Sequence, residues 1–342
     1  MRRLLLLLAA LVSLTPCLLH AQDAPSPGGP PPASDAPDTR AGEDVETLQV
    51  NVNLVNVYFS VRDKTGFITN LRKDDCSLEE DKVQQKVKNF TQEKNLPLTI
   101  GILLDTSGSQ RGVLPMEQDA GARFLKEVLK TKDEAFLLSF DINVDLLADY
   151  TNSAREIDRA IHRASINTGA GTGSVTGNGS ARGTLLYDAV YLASHDKLRQ
   201  EAGRKVLIIL TDGEDQGSQE TLKSSIESAQ KANAIVYVIL IADRGFYGGF
   251  SMGYGGDRYM QQMATETGGR VINVGSDGRK LEDAFDQIQD ELRTQYLASY
   301  TPTNMKADGT FRNIKITCGK DQKIQSRKGY YAIAGGGKDD DN

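Results

Sequence analysis

Short apolar runs alternate with longer amphipathic segments between Leu98 and Leu292, and this alternation leaves few folds open to the chain. Residues 98–104 are almost continuously apolar, a pattern typical of strands that are buried on both faces. Similar runs at 206–210 and 235–241 are separated by segments in which apolar residues recur at helical spacing. Strands that alternate with helices predict an α/β fold with a doubly wound, mostly parallel sheet that is covered by helices on both faces.

The segments on either side of this region have the patterns of β-strands. Apolar and polar residues alternate over residues 48–61, and further strands are predicted at 296–301, 311–318 and 325–331. Because the strands of each end need a sheet to join, we expect them to combine. The prediction is a small β-sandwich made from both chain ends, with the α/β domain inserted in it.

The amino-terminal residues have the layout of a secretory signal peptide. Two arginines precede an apolar run over residues 4–14, and Ala21 offers a small residue for cleavage. The run is about half of the roughly 20 residues that a membrane-spanning helix needs. Lipidation of Cys17 is an alternative, although Pro16 stands where that signal requires a small residue. We expect a protein that is secreted or periplasmic and has no transmembrane segment.

The organisation of the chain follows from these patterns. Residues 22–44 contain six of the ten prolines and few apolar side chains, so a disordered linker is predicted there. The predicted parts are a signal peptide (1–21), the linker (22–44), the β-sandwich (45–95 and 296–334), the inserted α/β domain (96–295) and a disordered tail (335–342).

Charge and composition exclude several classes of function. The formal net charge of −6 argues against nucleic acid as the main partner. Only three histidines are present, and His162 and His195 fall on predicted helices, so a histidine-based metal enzyme or general base is not expected. The glycine-rich stretch 168–183 lacks the Gly-Lys-Ser/Thr ending of a phosphate-binding loop, which favours a flexible loop over a nucleotide site.

Removal of the signal peptide would leave two cysteines, Cys76 and Cys318. An exported protein can hold a disulfide, and a bridge between these two would tie the ends of the folded region together. Two buried free thiols are the alternative, because the sequence does not reveal whether the Cα atoms approach within about 7 Å.

Oxygen-bearing side chains are placed where an open α/β sheet binds its ligands, at the carboxyl ends of the strands near the switch in strand order. Asp105, Ser107 and Ser109 follow the first central strand, Thr184 precedes a helix, and Asp212 ends another central strand. Carboxylate and hydroxyl oxygens are hard ligands, which suit Mg²⁺ and similar cations. For the first three residues taken alone, an ordinary Asp/Ser-rich turn is the alternative.

These five residues resemble the metal-ion-dependent adhesion site of the von Willebrand factor A family. Asp105, Ser107 and Ser109 match the D-x-S-x-S motif of the family, and Thr184 and Asp212 match its distant Thr and Asp. The resemblance implies a Rossmann-like VWA domain in which these side chains hold Mg²⁺, or else Mn²⁺ or Ca²⁺.

The resemblance extends over residues 98–292, with a long glycine-rich insertion before Thr184 as a departure from the family pattern. The flanking segments, including the closing sequence at 327–330, resemble secreted VWFA-related bacterial proteins of the acidobacterial type. This similarity implies that the whole chain is an exported VWA protein.

The ligand set indicates binding chemistry. If Asp105 is the only anion that touches the metal, the ion keeps a net positive charge and an open position, which a carboxylate can fill. We therefore expect a non-enzymatic protein that engages an Asp or Glu of a protein partner, in adhesion or as a scaffolding subunit in envelope assembly. A metal-dependent phosphohydrolase is the alternative, but such enzymes use a second Asp where this chain has Ser107. The Gly-x-Ser-x-Gly turn of serine hydrolases does not occur either.

A glycine- and aromatic-rich segment at 244–259 is a second candidate for partner contact. It follows a central strand and is therefore predicted to lie on the same face as the metal ligands. Tyr247 and Tyr254 could provide contact area to a partner at low entropic cost. The alternative is that these aromatic side chains fold back onto the domain.

Overall fold

The computed structural model of the protein describes residues 54–93, 96–167, 183–241 and 255–333. The predicted signal peptide, linker and tail lie outside these residues, as do Tyr247, Tyr254 and most of the glycine-rich stretch 168–183. Within the described ranges, no helix combines the length and the apolar character that crossing a membrane requires.

The described chain begins and ends with strands, and strands alternate with helices between them. The amino-terminal strands are β1 (Val55–Arg62), β2 (Ser77–Glu80), β3 (Val83–Gln84) and β4 (Val87–Gln92). The α/β region consists of β5 (Leu98–Asp105), α1 (Leu114–Val128), β6 (Glu134–Phe140), β7 (Val144–Thr151), α2 (Ala154–Ile161), α3 (Leu186–Leu192), β8 (Arg204–Thr211), α4 (Leu222–Lys231), β9 (Ala234–Leu240), α5 (Gly255–Thr267), β10 (Val271–Asn273) and α6 (Gly278–Thr294). The carboxyl-terminal strands are β11 (Tyr296–Tyr300), β12 (Phe311–Thr317), β13 (Lys323–Ser326) and β14 (Gly329–Tyr331).

A six-stranded sheet with the order β10-β9-β8-β5-β6-β7 forms the centre of the α/β region. Its strands are parallel except for β7, which pairs antiparallel with β6 at the edge. Every residue of β5 and β8 is buried, because α1, α2 and α6 pack on one face of the sheet and α3, α4 and α5 on the other. The predicted α/β class with a mostly parallel sheet is therefore confirmed.

The strand order switches beside β5. From β5 the chain moves outward through β6 and β7, and it then returns to the opposite side of β5 as β8. The carboxyl ends of β5 and β8 are therefore neighbours at the switch, where open α/β sheets leave a crevice for a ligand.

The strands of both chain ends form two antiparallel four-stranded sheets, with the orders β13-β1-β11-β4 and β14-β12-β2-β3. One apolar core lies between them, to which Phe59 and Tyr296 contribute from the first sheet and Leu78 and Ile314 from the second. The predicted combination of both ends in one β-structure is thus present. A disulfide joins Cys76, just before β2, to Cys318, just after β12, with the two Cα atoms 4.1 Å apart.

Buried polar contacts attach these sheets to the α/β region. The hydroxyl of Ser60 in β1 donates to Oε1 of Glu291 in α6 (3.1 Å), and Nε of Arg270 donates to Oε2 of the same carboxylate (2.9 Å). Arg327 donates to the carbonyl of Asn56 (2.8 Å) and to the side chain of Asn233. Buried charges require such partners, and the contacts of Ser60 with Glu291 and of Arg327 with Asn233 join the terminal sheets to the α/β region.

Candidate metal site

Asp105 ends β5 at the switch in strand order and is completely buried. Its Oδ1 accepts the backbone N–H of Ser107 (3.0 Å), and its Oδ2 accepts the hydroxyl of Thr211 at the end of β8 (2.7 Å). The carboxylate is therefore held in one orientation by both strands of the switch. Each oxygen keeps a further lone pair for another ligand.

The turn after β5 brings two hydroxyl groups together. The Oγ atoms of Ser107 and Ser109 lie 3.0 Å apart, within hydrogen-bond distance. Residues Gly108–Gln110 form a single 3₁₀ turn between β5 and α1, in which Ser107 is the N-cap residue and Ser109 lies within the turn. The three residues of the D-x-S-x-S motif thus supply one carboxylate and two hydroxyls in a small volume.

Asp212 and Thr184 approach this turn from two other loops. Asp212 directly follows β8, and its Oδ1 accepts the N–H of Glu214 (3.2 Å). Thr184 forms an isolated β-bridge with Gln216 through backbone hydrogen bonds of 3.0 and 2.9 Å. The structure therefore fixes Thr184 to the loop that begins with Asp212.

A further set of bonds links the Thr184 loop to the turn after β5. Asp141, which follows β6, accepts the hydroxyl of Thr106 with its carboxylate (2.8 Å) and the N–H of Leu185 with its carbonyl (2.8 Å). Asp105, Ser107, Ser109 and Asp212 thus gather at one end of the sheet, and Thr184 lies on an adjoining loop. Asp141 was not among the residues predicted from the sequence.

The electrostatics of the site favour a bound cation. Burial, together with the charge of Asp212, raises the pKa of Asp105, and hydrogen bonds from Ser107 and Thr211 offset only part of the effect. Two carboxylates in one buried place repel each other. A divalent cation bound between them would attract both and so offset this repulsion.

The donor set fits a hard cation of the Mg²⁺ type, since it consists of carboxylate and hydroxyl oxygens. Within the described ranges, no three or more His, Cys, Asp and Glu side chains form a group that could hold an ion. A ligand set at this position would therefore have to include hydroxyl oxygens, and Ser107, Ser109 and Thr184 carry such groups.

Two buried side chains next to the site were missed by the sequence patterns. Gln110 ends the 3₁₀ turn and Glu117 lies in the first turn of α1; both are completely buried. No side-chain polar atom of either residue has a hydrogen-bond partner in the described structure. The available signal for Glu117 is its spacing from Ala120 and Phe124, which places a carboxylate on the apolar face of the helix.

The loop after β8 is held in place by acidic side chains on and beside α3. The carboxylate of Asp188 accepts the N–H groups of Gln219 (3.1 Å) and Glu220 (2.7 Å). Asp215 accepts the N–H of Tyr187 (3.1 Å) and the hydroxyl of Ser218 (2.6 Å). These hydrogen bonds stabilise the loop that begins with Asp212.

The sequence was compared with known protein families. The family model of the von Willebrand factor type A domain matches residues 99–287. No curated protein matches the chain.

Three solved structures are among those that match the chain. The conserved hypothetical protein BatB from Bacteroides thetaiotaomicron is 17% identical, with a TM-score of 0.42 over 57% of this chain and 98% of that one. The vWF domain of the type V pili tip protein Mfa5 from Porphyromonas gingivalis is 12% identical, with a TM-score of 0.44 over 58% and 95% of the two chains. Proximal thread matrix protein 1 from the mussel byssus, with a zinc-occupied MIDAS motif, is 16% identical, with a TM-score of 0.45 over 60% and 48%.

Proposed function

The chain belongs to the von Willebrand factor type A domain family, whose model matches more than half of it, and from this premise we propose that it is a non-enzymatic, cation-dependent binding protein. It engages an acidic group of a protein partner through a divalent ion. The observation that supports this function is the cluster of the buried Asp105, Ser107 and Asp212 with the half-buried Ser109 at the switch point of the sheet. The proposed ligands are these four residues and Thr184.

The chain's own residues hold and orient the ligands. Thr211 and the backbone of Ser107 fix the Asp105 carboxylate, and the loop around Gln216 fixes Thr184. Three of the proposed ligands are neutral hydroxyls, which add no negative charge to that of the two aspartates. Burial removes water from the site, which strengthens each electrostatic interaction there.

The bound ion, Mg²⁺ or else Mn²⁺ or Ca²⁺, would supply a Lewis-acidic position. In the proposed arrangement Asp105 ligates directly and Asp212 acts through water, so one position stays open. A carboxylate from an Asp or Glu of the partner is the group that such a position prefers. Tyr247 and Tyr254, which lie outside the described residues, are retained as proposed partner contacts.

We further propose that the protein acts after export, as a secreted or periplasmic component in adhesion or envelope assembly. The Cys76–Cys318 disulfide supports this location, because structural disulfides persist in oxidising compartments. The signal peptide at 1–21 remains part of the same proposal.

The first test is titration of the purified protein with Mg²⁺ and Mn²⁺ by calorimetry. We expect the native protein to bind one ion and Asp105→Ala to bind none, because the substitution removes the central carboxylate of the site. Asp145→Ala is the matched control, since Asp145 is an exposed carboxylate on the edge strand β7. It should bind as the native protein does.

Partner binding is tested by capture from cell-envelope extracts with and without EDTA. The expected result is a partner that is retained by the native protein and by Asp145→Ala, and that is lost with EDTA or with Asp105→Ala. Failure of the native protein to bind either metal, or equal binding by Asp105→Ala, would refute the cation site. Mg²⁺-dependent phosphatase turnover abolished by Asp105→Asn would favour the enzyme instead.

A further inference from the structure

Glu117 is the least satisfied charged residue of the described structure. Its side chain is completely buried in the first turn of α1, and neither carboxylate oxygen has a hydrogen-bond partner among the described residues. The field of the helix amino terminus offsets part of the cost of such a group. It does not replace the hydrogen bonds that a buried carboxylate loses when it leaves water.

The other buried glutamates of the described chain differ from Glu117 in this respect. Glu291 accepts from Ser60 and pairs with Arg270. Glu80 accepts the hydroxyls of Tyr300 (2.6 Å) and Tyr330 (3.0 Å). Both of these glutamates thus accept hydrogen bonds from other side chains, so the unpartnered state of Glu117 calls for another explanation.

The groups that act on Glu117 point to the proposed cation site. Burial raises the pKa of Glu117 well above its usual range, and the charges of Asp105 and Asp212 raise it further. Three acidic side chains therefore share one buried region in which each repels the others. The amide of Gln110 in the same region is also buried and unpartnered, so this side of the site is polar but unsatisfied.

We propose that Glu117 is a third acidic residue of the cation site, which strengthens the binding of a divalent ion by its charge and without ligating it directly. An outer position follows from the described residues, in which no three acidic, His or Cys side chains can hold one ion together. A carboxylate acts on a cation over several ångströms when little water lies between them. This role for Glu117 rests on the proposed function and extends it, because it explains how the ion is retained in the absence of a partner.

The test compares Glu117→Gln with the native protein in calorimetric titrations with Mg²⁺ and Mn²⁺. Glutamine keeps the size of the side chain and removes its charge. We expect the affinity for both ions to fall about 10- to 100-fold, the range typical of groups that tune a metal site from outside its ligands. Glu291→Gln is the matched control, since Glu291 is equally buried but lies among the contacts to β1. Its ion affinity should equal that of the native protein.

Thermal unfolding with and without Mn²⁺ separates this role from a structural one. Without the ion, Glu117→Gln should unfold at about the same temperature as the native protein, because glutamine has the same size and Glu117 makes no hydrogen bond that the substitution would remove. Its stabilisation by Mn²⁺ should be smaller. Glu291→Gln should unfold at a lower temperature in both conditions, because Arg270 loses its partner.

The outcomes distinguish this role from the proposed function itself. If the native protein binds Mn²⁺ and Glu117→Gln binds it equally well, Glu117 has no part in the site, although the proposed function stands. If the native protein binds neither ion, both fail. Glu117→Leu, which removes the polar group entirely, carries the same expectation and decides the question if Glu117→Gln does not fold.

Discussion

Thr211 connects the two strands that meet at the candidate site. Its hydroxyl donates to Oδ2 of Asp105 (2.7 Å) and accepts the N–H of Gly213 (3.0 Å), so one small side chain orients both the carboxylate and the loop after β8. Valine has nearly the same shape without the hydroxyl. Thr211→Val should therefore lower the affinity for Mg²⁺ or Mn²⁺ by about tenfold, the lower end of the range for such supporting groups, as measured by calorimetry.

A threonine at the other end of the same sheet provides the control for this prediction. Thr99 is buried near the start of β5, away from the carboxyl end where Asp105 lies. Thr99→Val should leave the affinity for the ion unchanged. Equal affinities for Thr211→Val and the native protein would mean that the orientation of Asp105 does not depend on the hydroxyl.

The residues of the site differ in how far the sequence predicts them. The D-x-S-x-S motif, Thr184 and Asp212 follow from residue type and from their positions at strand ends, so the family resemblance finds them, and their role as ligands stays a proposal. The contact of Thr211 with Asp105 depends on which strands are neighbours, and the position of Glu117 beside the site depends on which face of α1 is buried. Both facts are tertiary, and no spacing within one element reveals them.

At the scale of the element, β5 depends on a residue without a side chain. Gly101 pairs with Phe136 of β6 and Leu207 of β8, and a Cβ built on it would lie 2.3 Å from Cζ of Phe136 and 2.6 Å from Cδ2 of Leu207. The aromatic ring thus occupies the space above the glycine. Gly101→Ala should destabilise the protein by about 1–3 kcal/mol, because the ring must move within a packed core.

Urea unfolding followed by circular dichroism measures this effect. Gly108→Ala is the matched control, since a Cβ at Gly108 would meet no atom within 4 Å. Its unfolding free energy should stay within about 0.5 kcal/mol of the native value, as is usual for open positions. A similar loss in both variants would show that the packing of Phe136 over β5 is not what makes Gly101 necessary.

The elements themselves were predictable to different degrees. The continuously apolar runs that form β5, β8 and β9 are buried on both faces. A strand of this kind is the easiest to predict, because nearly all of its residues are apolar. The residues at 185–198 have a helical pattern, which predicts one helix there. The structure has α3 followed by a π-helical turn at Ala193–Leu198, a change of hydrogen bonding that apolar spacing does not encode. The order of the strands also depends on long-range pairing and could only be guessed from the alternation.

At the scale of the whole molecule, the two chain ends depend on each other. β1 pairs with both β11 and β13, and β2 pairs with β12, so neither end forms its sheets alone. The sequence predicted this combination from the need of each set of strands for partners. The division into a sandwich at 45–95 and 296–334 around an α/β domain at 96–295 remains our proposal for the domain boundaries.

The disulfide should stabilise this joined structure through the unfolded state. Cys76 and Cys318 are separated by 242 residues, and in the chain-entropy model a closed loop of this length corresponds to about 5 kcal/mol. Cys318 belongs to the core between the two antiparallel sheets and Cys76 packs against it, whereas the proposed ligands lie at the end of the central sheet. Cys76→Ala/Cys318→Ala should therefore lower the free energy of unfolding in urea by several kcal/mol and leave Mn²⁺ affinity unchanged.

A reductant provides the internal control, because it should lower the urea midpoint of the native protein and leave that of the double variant where it is. The single variants Cys76→Ala and Cys318→Ala should resemble the double variant, since either one breaks the bridge. Equal midpoints for oxidised native protein and double variant would mean that the sheets hold the two ends together without the bridge. Loss of Mn²⁺ binding in a folded double variant would mean that the sandwich and the proposed site are coupled, contrary to their separate cores.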